Sequence, residues 1–333
     1  MDPIVFIFFM AGACIGSFLN VCIVRLPLEK SVVFPSSHCV HCHKPIAWMD
    51  NVPLLSWILL KGKCRQCGGR ISFRYWLVEL LTALVFVGFY QFYGLSPLVL
   101  PYLVMMSCFM VVIFVDFEHR IIPDEVSIGG MFAGIALSAL IPALHPAGVQ
   151  ETALGAFIAG ALVILCLALS LIYPFFCKHL MRDEDQSVDR AVKIFVVCSL
   201  LAVVCIHMNM ARVPPAFVPY LLSLSSSLSG YMVGGGLIYA MGLCGDIIFK
   251  KESMGGGDVK LMALVGAFLG WKLAVLTFFL APFFGAVFGI IEKIRTKDST
   301  IAYGPFLVLG ALVSLFWGDD IIRWVLNGGV YGL

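Results

Sequence analysis

Charged side chains are scarce in this sequence, and their scarcity excludes an ordinary soluble domain. They make up 13% of the 333 residues, whereas hydrophobic residues make up 61%. Soluble domains carry about twice that share of charge. The formal net charge of only +2 also gives no reason to expect nucleic acid as a partner. The composition instead predicts a protein whose solvent is mostly a lipid bilayer.

The N-terminus lacks the basic segment that opens a secretory signal peptide. Asp2 precedes the apolar run Ile4 to Phe9, and the segment continues through Asn20 without a convincing cleavage site. We therefore expect residues 1–24 to form a first transmembrane span that the protein retains.

Long apolar runs predict an all-α polytopic membrane protein with about ten transmembrane helices. A membrane helix needs about 20 mostly apolar residues. Two of the predicted spans are joined directly, so Gly270, Trp271 and Lys272 must form a tight turn between them. The predicted spans are 4–24, 77–93, 97–115, 126–144, 153–176, 192–208, 228–249, 258–271, 272–292 and 304–325.

One long polar segment, Arg25 to Tyr75, sets the predicted orientation. It carries eight lysines and arginines against only Glu29 and Asp50. Basic loops stay in the cytosol, so we expect this segment to be cytosolic. Counting crossings outward from it predicts the same side for the connections 116–125, 177–191, 250–258 and 293–303.

Four of the twelve cysteines form two C-x-x-C pairs in the polar segment, Cys39 with Cys42 and Cys64 with Cys67. This spacing is typical of zinc ribbons, and cytosolic thiols stay reduced. A loop of about fifty residues has too little core to fold alone, so a bound ion would supply the missing free energy. We predict a small zinc-ribbon-like domain within residues 25–76. The alternative, unrelated or redox-active cysteines, stays open.

Three histidines flank the first cysteine pair: His38, His41 and His43. Each could replace a sulfur as a ligand, but four thiolates already close a tetrahedral site. A closed site has no open position for chemistry, so we expect the zinc to be structural and the histidines not to bind it.

Two aspartates are candidate catalytic residues. Asp258 follows three glycines in a G-x-G-D pattern at the start of a predicted span, and Asp116 ends another span on the same predicted face. Ionisable groups at membrane depth are costly and are therefore functional candidates. Two neighbouring carboxylates share a proton, which makes one a base and the other an acid, as in aspartic peptidases. Glycines before Asp258 would let a substrate strand approach it.

Less specific roles for these acids stay open on spacing alone. Asp116 and Asp124 could pair with Arg120 or lie among lipid headgroups, and Asp258 could cap a helix. Asp246 does not fit the motif, because a leucine stands where its first glycine should be.

Several separate stretches form a combination that is far more specific than any single motif. The stretches are Gly16 to Val21 with Arg25-Leu26-Pro27, Pro35-Ser36, Asp50 to Trp57, Arg74-Tyr75 with Glu79, Asp116 with Ile122-Pro123-Asp124, Met254 to Lys260, and Gly304 to Leu307. Taken together they resemble the bacterial type IV prepilin peptidases, which are G-x-G-D membrane aspartic proteases.

The resemblance implies an endopeptidase that cleaves the short basic leader of prepilins or pseudopilins at the cytosolic face of the bacterial inner membrane. It assigns Asp116 and Asp258 as the catalytic pair. It also implies that the zinc-bearing loop serves S-adenosylmethionine-dependent methylation of the new N-terminus. The sequence has no Rossmann glycine fingerprint, so the residues that bind this cofactor are unknown. Glu79 is a candidate for that site, its alternative being a boundary acid paired with Arg74.

The same resemblance suggests a division of the chain. Residues 1–24 are the first span, 25–76 the cytosolic loop and 77–333 the peptidase domain. Residues of about 140–228 are extra relative to a compact family member and predict an inserted helical pair. An even number of added spans keeps Asp258 facing the cytosol.

Two functions of other classes remain as alternatives. A polytopic transporter could use the boundary aspartates as a proton relay. A non-catalytic assembly factor of a secretion apparatus could use the zinc loop only to dock partners.

Overall fold

The computed structural model describes residues 2–146, 148–176, 186–251, 253–296 and 302–326. Within these ranges the regular structure is helical, and pairing between extended segments is limited to isolated bridges. The all-α prediction is therefore confirmed. The chain divides into two compact units, Met1–Val126 and Ser127–Leu333.

The first unit is built from four helices and the polar segment between the first and third of them. Short 3-10 helices at Leu26–Leu28 and Trp48–Asn51 lie in that segment. The helices are α1 Pro3–Arg25, α2 Leu55–Leu59, α3 Phe73–Tyr93 and α4 Val99–His119.

The border between the units falls between Val126 and Ser127, and the described part of the second unit contains six α-helices, the first of which begins just before this border. Short 3-10 helices stand at Pro142–Leu144, Met210–Arg212 and Pro215–Phe217. The α-helices are α5 Asp124–Leu140, α6 Val149–Phe176, α7 Gln186–Asn209, α8 Val218–Phe249, α9 Gly256–Thr296 and α10 Gly304–Leu326.

Helices α1 and α3 pack in unusually close contact through two glycines. A Cβ on Gly12 would lie 2.7 Å from the Cα of Ala83, and a Cβ on Gly16 would lie 2.8 Å from the Cα of Glu79. This spacing of four residues is the small-residue pattern with which membrane helices approach each other. The contact brings the α1 face that carries Gly16 directly against Glu79.

Helices α8 and α9 also meet at glycines. A Cβ on Gly230 would lie 2.1 Å from the carbonyl oxygen of Gly266, so no larger residue fits there. Further along, α9 breaks at Gly270, where φ is +77°. The carbonyl of Ala267, just before the break, lies 3.2 Å from Nε2 of the buried His145 and 2.8 Å from the Ser227 hydroxyl. These two donors satisfy a carbonyl next to the interruption.

Eight helices in the described ranges are long and apolar enough to cross a membrane. The difference from ten has two sources. Helix α5 has 17 residues, and the predicted spans 258–271 and 272–292 form one helix, α9, interrupted at Gly270. The non-helical backbone therefore falls at the first residue of the predicted turn.

The predicted start of the span 228–249 was wrong by ten residues, because α8 begins at Val218. The serine-rich run that precedes residue 228 lies inside the helix and is buried. Serine hydroxyls can be accommodated there by bonding to a carbonyl one turn earlier, as Ser229 does to Ser225 at 2.7 Å.

Candidate functional site

The two cysteine pairs of the first unit come together as one cluster. The sulfur atoms of Cys39, Cys42, Cys64 and Cys67 all lie within 4.8 Å of one another, and those of Cys39 and Cys67 are 3.8 Å apart. Four thiolates at such distances match the tetrahedral donor set of a structural zinc site. The predicted grouping of these residues is what the structure contains, and the cluster could hold a metal ion.

The same backbone turn carries each pair, repeated 25 residues apart. The N–H of Cys39 donates to the carbonyl of Lys44 at 3.0 Å, and the N–H of Cys64 donates to the carbonyl of Gly69 at 2.8 Å. These bonds close two short loops whose sulfurs point to a common centre. Each half of the cluster is therefore formed by the local sequence around one cysteine pair, in the same way both times.

Each turn also needs one residue in the left-handed region. That residue directly follows the second cysteine: His43 with φ of +55°, and Gly68 with φ of +71°. Position 69 requires glycine for a different, steric reason, because a Cβ there would lie 2.6 Å from the ring of His41. The glycines near the second pair are therefore part of the cluster's construction.

Two of the thiols have very different acidities, because backbone N–H groups, burial and the neighbouring sulfurs act on them unequally. Hydrogen bonds from the backbone N–H groups of Cys42 and His41 lower the pKa of Cys39 to about 6. The N–H of Gly69 acts to lower the pKa of Cys67, but burial and the three neighbouring cysteines raise it to about 11. Four negative sulfurs cannot coexist at this spacing without a cation. A divalent ion would remove the conflict by displacing the remaining protons.

Two of the three neighbouring histidines contact backbone carbonyls elsewhere in the loop. His41 Nε2 lies 3.1 Å from the carbonyl oxygen of Arg70, and His38 Nδ1 lies 3.0 Å from that of Ser36. Among the described residues, the group that could hold a metal consists of the four cysteines.

Glu79 ties the polar segment to α3. Its side chain is buried, and its Oε2 accepts the backbone N–H of Leu54 at 2.7 Å. Arg74, the partner expected under the alternative interpretation, forms its ion pair with Glu118 near the end of α4 instead. Glu79 is therefore a buried carboxylate held by the loop rather than an acid paired with Arg74.

Asp116 lies in the last turn of α4 in the first unit and is only 5% exposed. The helix ends at His119, and Arg120 then takes a left-handed conformation, with its N–H donating to the carbonyl of Asp116 at 2.9 Å. Asp124 then opens α5. A buried carboxylate at a helix end is a costly placement that favours a functional role.

Asp258 lies in the first turn of α9 in the second unit, and its N–H donates to the carbonyl of Gly255 at 3.1 Å. A Cβ on Gly255 would lie 3.5 Å from Oδ2 of Asp258, so the carboxylate faces back toward the glycines. Burial, together with the negative charge of Asp258, raises the pKa of Tyr303 to about 12. The Tyr303 hydroxyl therefore stays protonated near this carboxylate.

Asp246 has a contact that its sequence motif did not reveal. It lies in the last turn of α8, and its Oδ1 accepts the backbone N–H of Ser253 at 2.7 Å. Ser253 begins the turn that leads to Asp258. Inspection of the G-x-G-D pattern missed this residue, because its contact is made across a turn to a position seven residues later.

Two family models match the chain: the bacterial peptidase A24 N-terminal domain over residues 10–93, and the type IV leader peptidase family over residues 188–290. The chain belongs to the type IV leader peptidase family. The first match contains all four clustered cysteines and the second contains Asp258, whereas Asp116 lies in neither.

Several curated relatives of this family member are named prepilin leader peptidase/N-methyltransferase. The protein of Myxococcus xanthus is 31% identical over 288 residues, which cover 86% of this chain and 63% of that relative. The protein of Aeromonas salmonicida is 27% identical, covering 96% of this chain and 92% of the relative. The protein of Legionella pneumophila is 26% identical, covering 94% of this chain and 91% of the relative. No solved structure matches this chain.

These similarities confirm the predicted family and the prediction that this family member is an enzyme of the prepilin peptidase kind. They also disfavour the transporter and the non-catalytic assembly factor. The assignment of Asp116 and Asp258 as a catalytic pair stays a prediction, since the two residues belong to different units.

Proposed function

We propose that this leader peptidase family member is an aspartic endopeptidase that removes the leader of prepilins or pseudopilins, with Asp116 and Asp258 as its catalytic pair. The single observation that carries the proposal is the placement of the two acids. Asp116 is buried at the end of α4, and Asp258 stands on a glycine turn at the start of α9. Both are aspartates at the ends of membrane helices.

In the proposed reaction one carboxylate takes a proton from the attacking water while the other carboxyl donates a proton to the carbonyl oxygen of the scissile peptide. Such a division of labour requires that the two groups share a single proton before substrate binds. The space beside Gly256 is open, because no atom lies within 4 Å of a Cβ built there, and the Asp258 carboxylate faces back toward Gly255. A substrate backbone can therefore pass close to this carboxylate.

The order of helices supports a common side of the membrane for both acids. Four described helices, α5 to α8, separate Asp116 from Asp258 along the chain, and we propose that all four cross the membrane, the 17-residue α5 included. An even number of crossings returns the chain to the side from which it left. The basic segment between α1 and α3 favours the cytosol for that side. We therefore propose an inner-membrane enzyme with a cytosolic active site.

We further propose that the ion held by the cysteine cluster is a structural zinc. The four sulfurs match the donor set of a structural zinc ion. Together they would fill all four tetrahedral positions of the ion, so no position would stay open for a reacting water or substrate. Its role would be to fold the polar segment, whose backbone reaches α3 through the bond between Leu54 and Glu79.

A second activity, N-methylation of the new N-terminus, is proposed for the first unit. Glu79 is buried, and Asn20, which donates to the Tyr75 carbonyl at 2.9 Å, keeps its Oδ1 buried without a hydrogen-bond partner. The Trp76 Nε1–H is a buried donor that also has no hydrogen-bond partner. A buried acceptor and a buried donor that lack partners are suited to hydrogen bonds with a polar ligand. S-adenosylmethionine would supply the methyl group, and Glu79 would attract the terminal ammonium and accept its proton.

Incubation of the purified protein with a synthetic prepilin segment and an isotopically labelled methyl donor tests both activities together. Mass spectrometry should find the leader removed just before the hydrophobic segment and a labelled methyl group on the new N-terminus. Intact substrate under conditions where the protein stays folded would contradict the peptidase proposal, and cleavage without label would contradict only the methylation proposal.

A further inference from the structure

The turn between α8 and α9 begins at a serine that α8 holds tightly. Asp246 Oδ1 accepts both the backbone N–H of Ser253 at 2.7 Å and its hydroxyl at 2.8 Å. The same hydroxyl lies 3.0 Å from the carbonyl oxygen of Gly242. Hydrogen bonds to an ionised acceptor are the stronger kind. The carboxylate therefore fixes the position of Ser253 against the helix.

The backbone of α8 is shaped for this contact. A Cβ on Gly245 would lie 2.5 Å from the Oγ of Ser253 and 2.9 Å from its Cβ, so a side chain here would push the serine away. The helix ends at Lys250 in the left-handed conformation, with its N–H donating to the carbonyl of Asp246 at 2.8 Å. Asp246 thus holds the end of its own helix through its backbone carbonyl and Ser253 through its side chain.

Asp246 is itself held from a second helix. The hydroxyl of Tyr173, near the end of α6, lies 3.4 Å from Oδ2 of Asp246. The two oxygens of this carboxylate therefore have different partners, Ser253 on Oδ1 and Tyr173 on Oδ2. Such a side chain has little rotational freedom, which makes it a suitable anchor.

Between Ser253 and Asp258 the chain consists of Met254 and three successive glycines. Glycine has the widest range of backbone conformations, so this segment loses the most entropy when it is ordered. Helix α9 begins at Gly256, so it orders the last two of these glycines and leaves Met254 and Gly255 outside the helix. Anchoring Ser253 fixes the near end and so limits the directions from which the Asp258 carboxylate can meet a substrate. Small errors in such geometry can reduce a reaction rate greatly.

We propose that Asp246 is a positioning residue for Asp258 in leader cleavage. It acts through Ser253, which it holds at the start of the glycine turn, and it takes no part in the proton transfers. This inference rests on the proposed peptidase function and on Asp258 as one of its catalytic residues.

Steady-state cleavage of a prepilin segment by the purified full-length protein tests the inference. Asp246→Ala should lower kcat on the order of tenfold to a hundredfold, with KM changed less than about threefold. Asp246→Asn keeps an oxygen that accepts the Ser253 N–H and should retain activity within about threefold. The matched control is Asp319→Asn, an exposed carboxylate on α10, which should cleave like the unaltered protein.

A second route breaks the contact without altering the carboxylate. Gly245→Ala should reproduce the kcat loss, and combining it with Asp246→Ala should add little, because both changes remove one interaction. Ser253→Ala, at an exposed position, should lower kcat severalfold without changing the thermal unfolding midpoint. This last variant decides the question even if Asp246→Ala fails to accumulate.

Unaltered kcat in both Gly245→Ala and Ser253→Ala, with Asp258→Asn inactive, would overturn the positioning role and leave the peptidase proposal standing. Equal losses for Asp246→Asn and Asp246→Ala would also overturn it, because the retained oxygen should rescue the contact. Full cleavage by Asp258→Asn would instead overturn the peptidase proposal and this inference with it.

Discussion

Individual side chains in the loop are placed by local sequence, and the cysteine cluster is the clearest case. Both C-x-x-C pairs close the same short turn, so the pattern predicts the geometry of each half directly. What the pattern could not reveal is the acidity of each thiol. Backbone N–H groups of its own turn lower the pKa of Cys39 to about 6, whereas burial and the three neighbouring cysteines outweigh the Gly69 N–H and raise that of Cys67 to about 11.

Removing one sulfur should therefore remove the ion. Cys67→Ser is expected to lower the zinc content of the purified protein by at least about tenfold, because a hydroxyl is a poor substitute for a thiolate. Elemental analysis per mole of protein measures the effect. Cys205→Ser, an exposed cysteine of α7, is the control. Equal zinc in both variants would contradict a site made of four thiolates.

A single histidine should give the protein a pH dependence of stability. Burial lowers the pKa of His145 to about 4, whereas an unfolded histidine titrates near 6.5. Between these values the unfolded chain binds more protons than the native one, so stability is full above pH 6.5 and falls as the pH drops toward 4. The loss should reach about 3 kcal/mol at most.

Thermal unfolding of the protein in detergent between pH 7 and 4 measures this effect. His145→Gln keeps a donor for the Ala267 carbonyl but does not titrate, so its stability should fall less over the window. His119→Gln, at an exposed position, should behave like the unaltered protein. If the thermal unfolding midpoints of His145→Gln and the unaltered protein fall equally with pH, His145 is not the source of the pH dependence.

At the scale of helices, close glycine contacts decide where the polar groups of α1 and α3 lie. Because Gly16 has no side chain, the α3 backbone at Glu79 lies directly against α1. One turn further along α1, the Asn20 side chain donates a hydrogen bond to the carbonyl of Tyr75. The sequence contained this glycine pattern, but periodicity alone did not identify α3 as the partner. Partner choice depends on the shapes of both surfaces.

Gly16→Val should therefore separate the two helices. The added side chain would meet backbone rather than a flexible side chain, which is expected to cost about 1–3 kcal/mol or more. The thermal unfolding midpoint and the rate of methyl transfer should both fall. Gly88→Val is the matched control, because a Cβ on this α3 glycine meets no atom within 4 Å. A thermal midpoint unchanged by Gly16→Val would rule out the close contact.

Sequence patterns located helices better than they located their ends or their contacts. The break at Gly270 was predictable because a glycine stood between two apolar runs each long enough to be a helix. The start of α8 was missed, since serines lower apparent hydropathy although their hydroxyls bond within the helix. The role of Asp246 was missed because it depends on how the chain turns at Lys250. Local composition carries no direct sign of that turn.

For the whole molecule, the division into two units has a functional consequence under the proposed mechanism. Asp116, Glu79 and the cysteine cluster belong to the first unit, whereas Asp258 belongs to the second. The proposed peptidase pair therefore includes one residue from each unit, whereas Glu79 accepts a hydrogen bond from the Leu54 backbone within the first. A substitution confined to Glu79 should leave cleavage largely intact.

Glu79→Gln tests this separation. The amide keeps the size of the side chain and an oxygen for the Leu54 N–H, but it cannot attract or deprotonate an ammonium group. Methyl transfer should fall by at least about a hundredfold, while cleavage stays within about twofold of the unaltered rate. Mass spectrometry of one reaction reads both products. Unchanged methyl transfer would exclude Glu79 from the chemistry.

The central claim concerns the two acids, and one measurement tests it most directly. The initial rate of prepilin cleavage is compared for purified Asp116→Asn, Asp258→Asn and the control Asp319→Asn, all at equal thermal stability and zinc content. An amide can serve as neither base nor acid, so each of the first two variants should lose at least about a thousandfold in rate, while the control keeps full activity. Cleavage at the unaltered rate by either Asp116→Asn or Asp258→Asn would contradict the account.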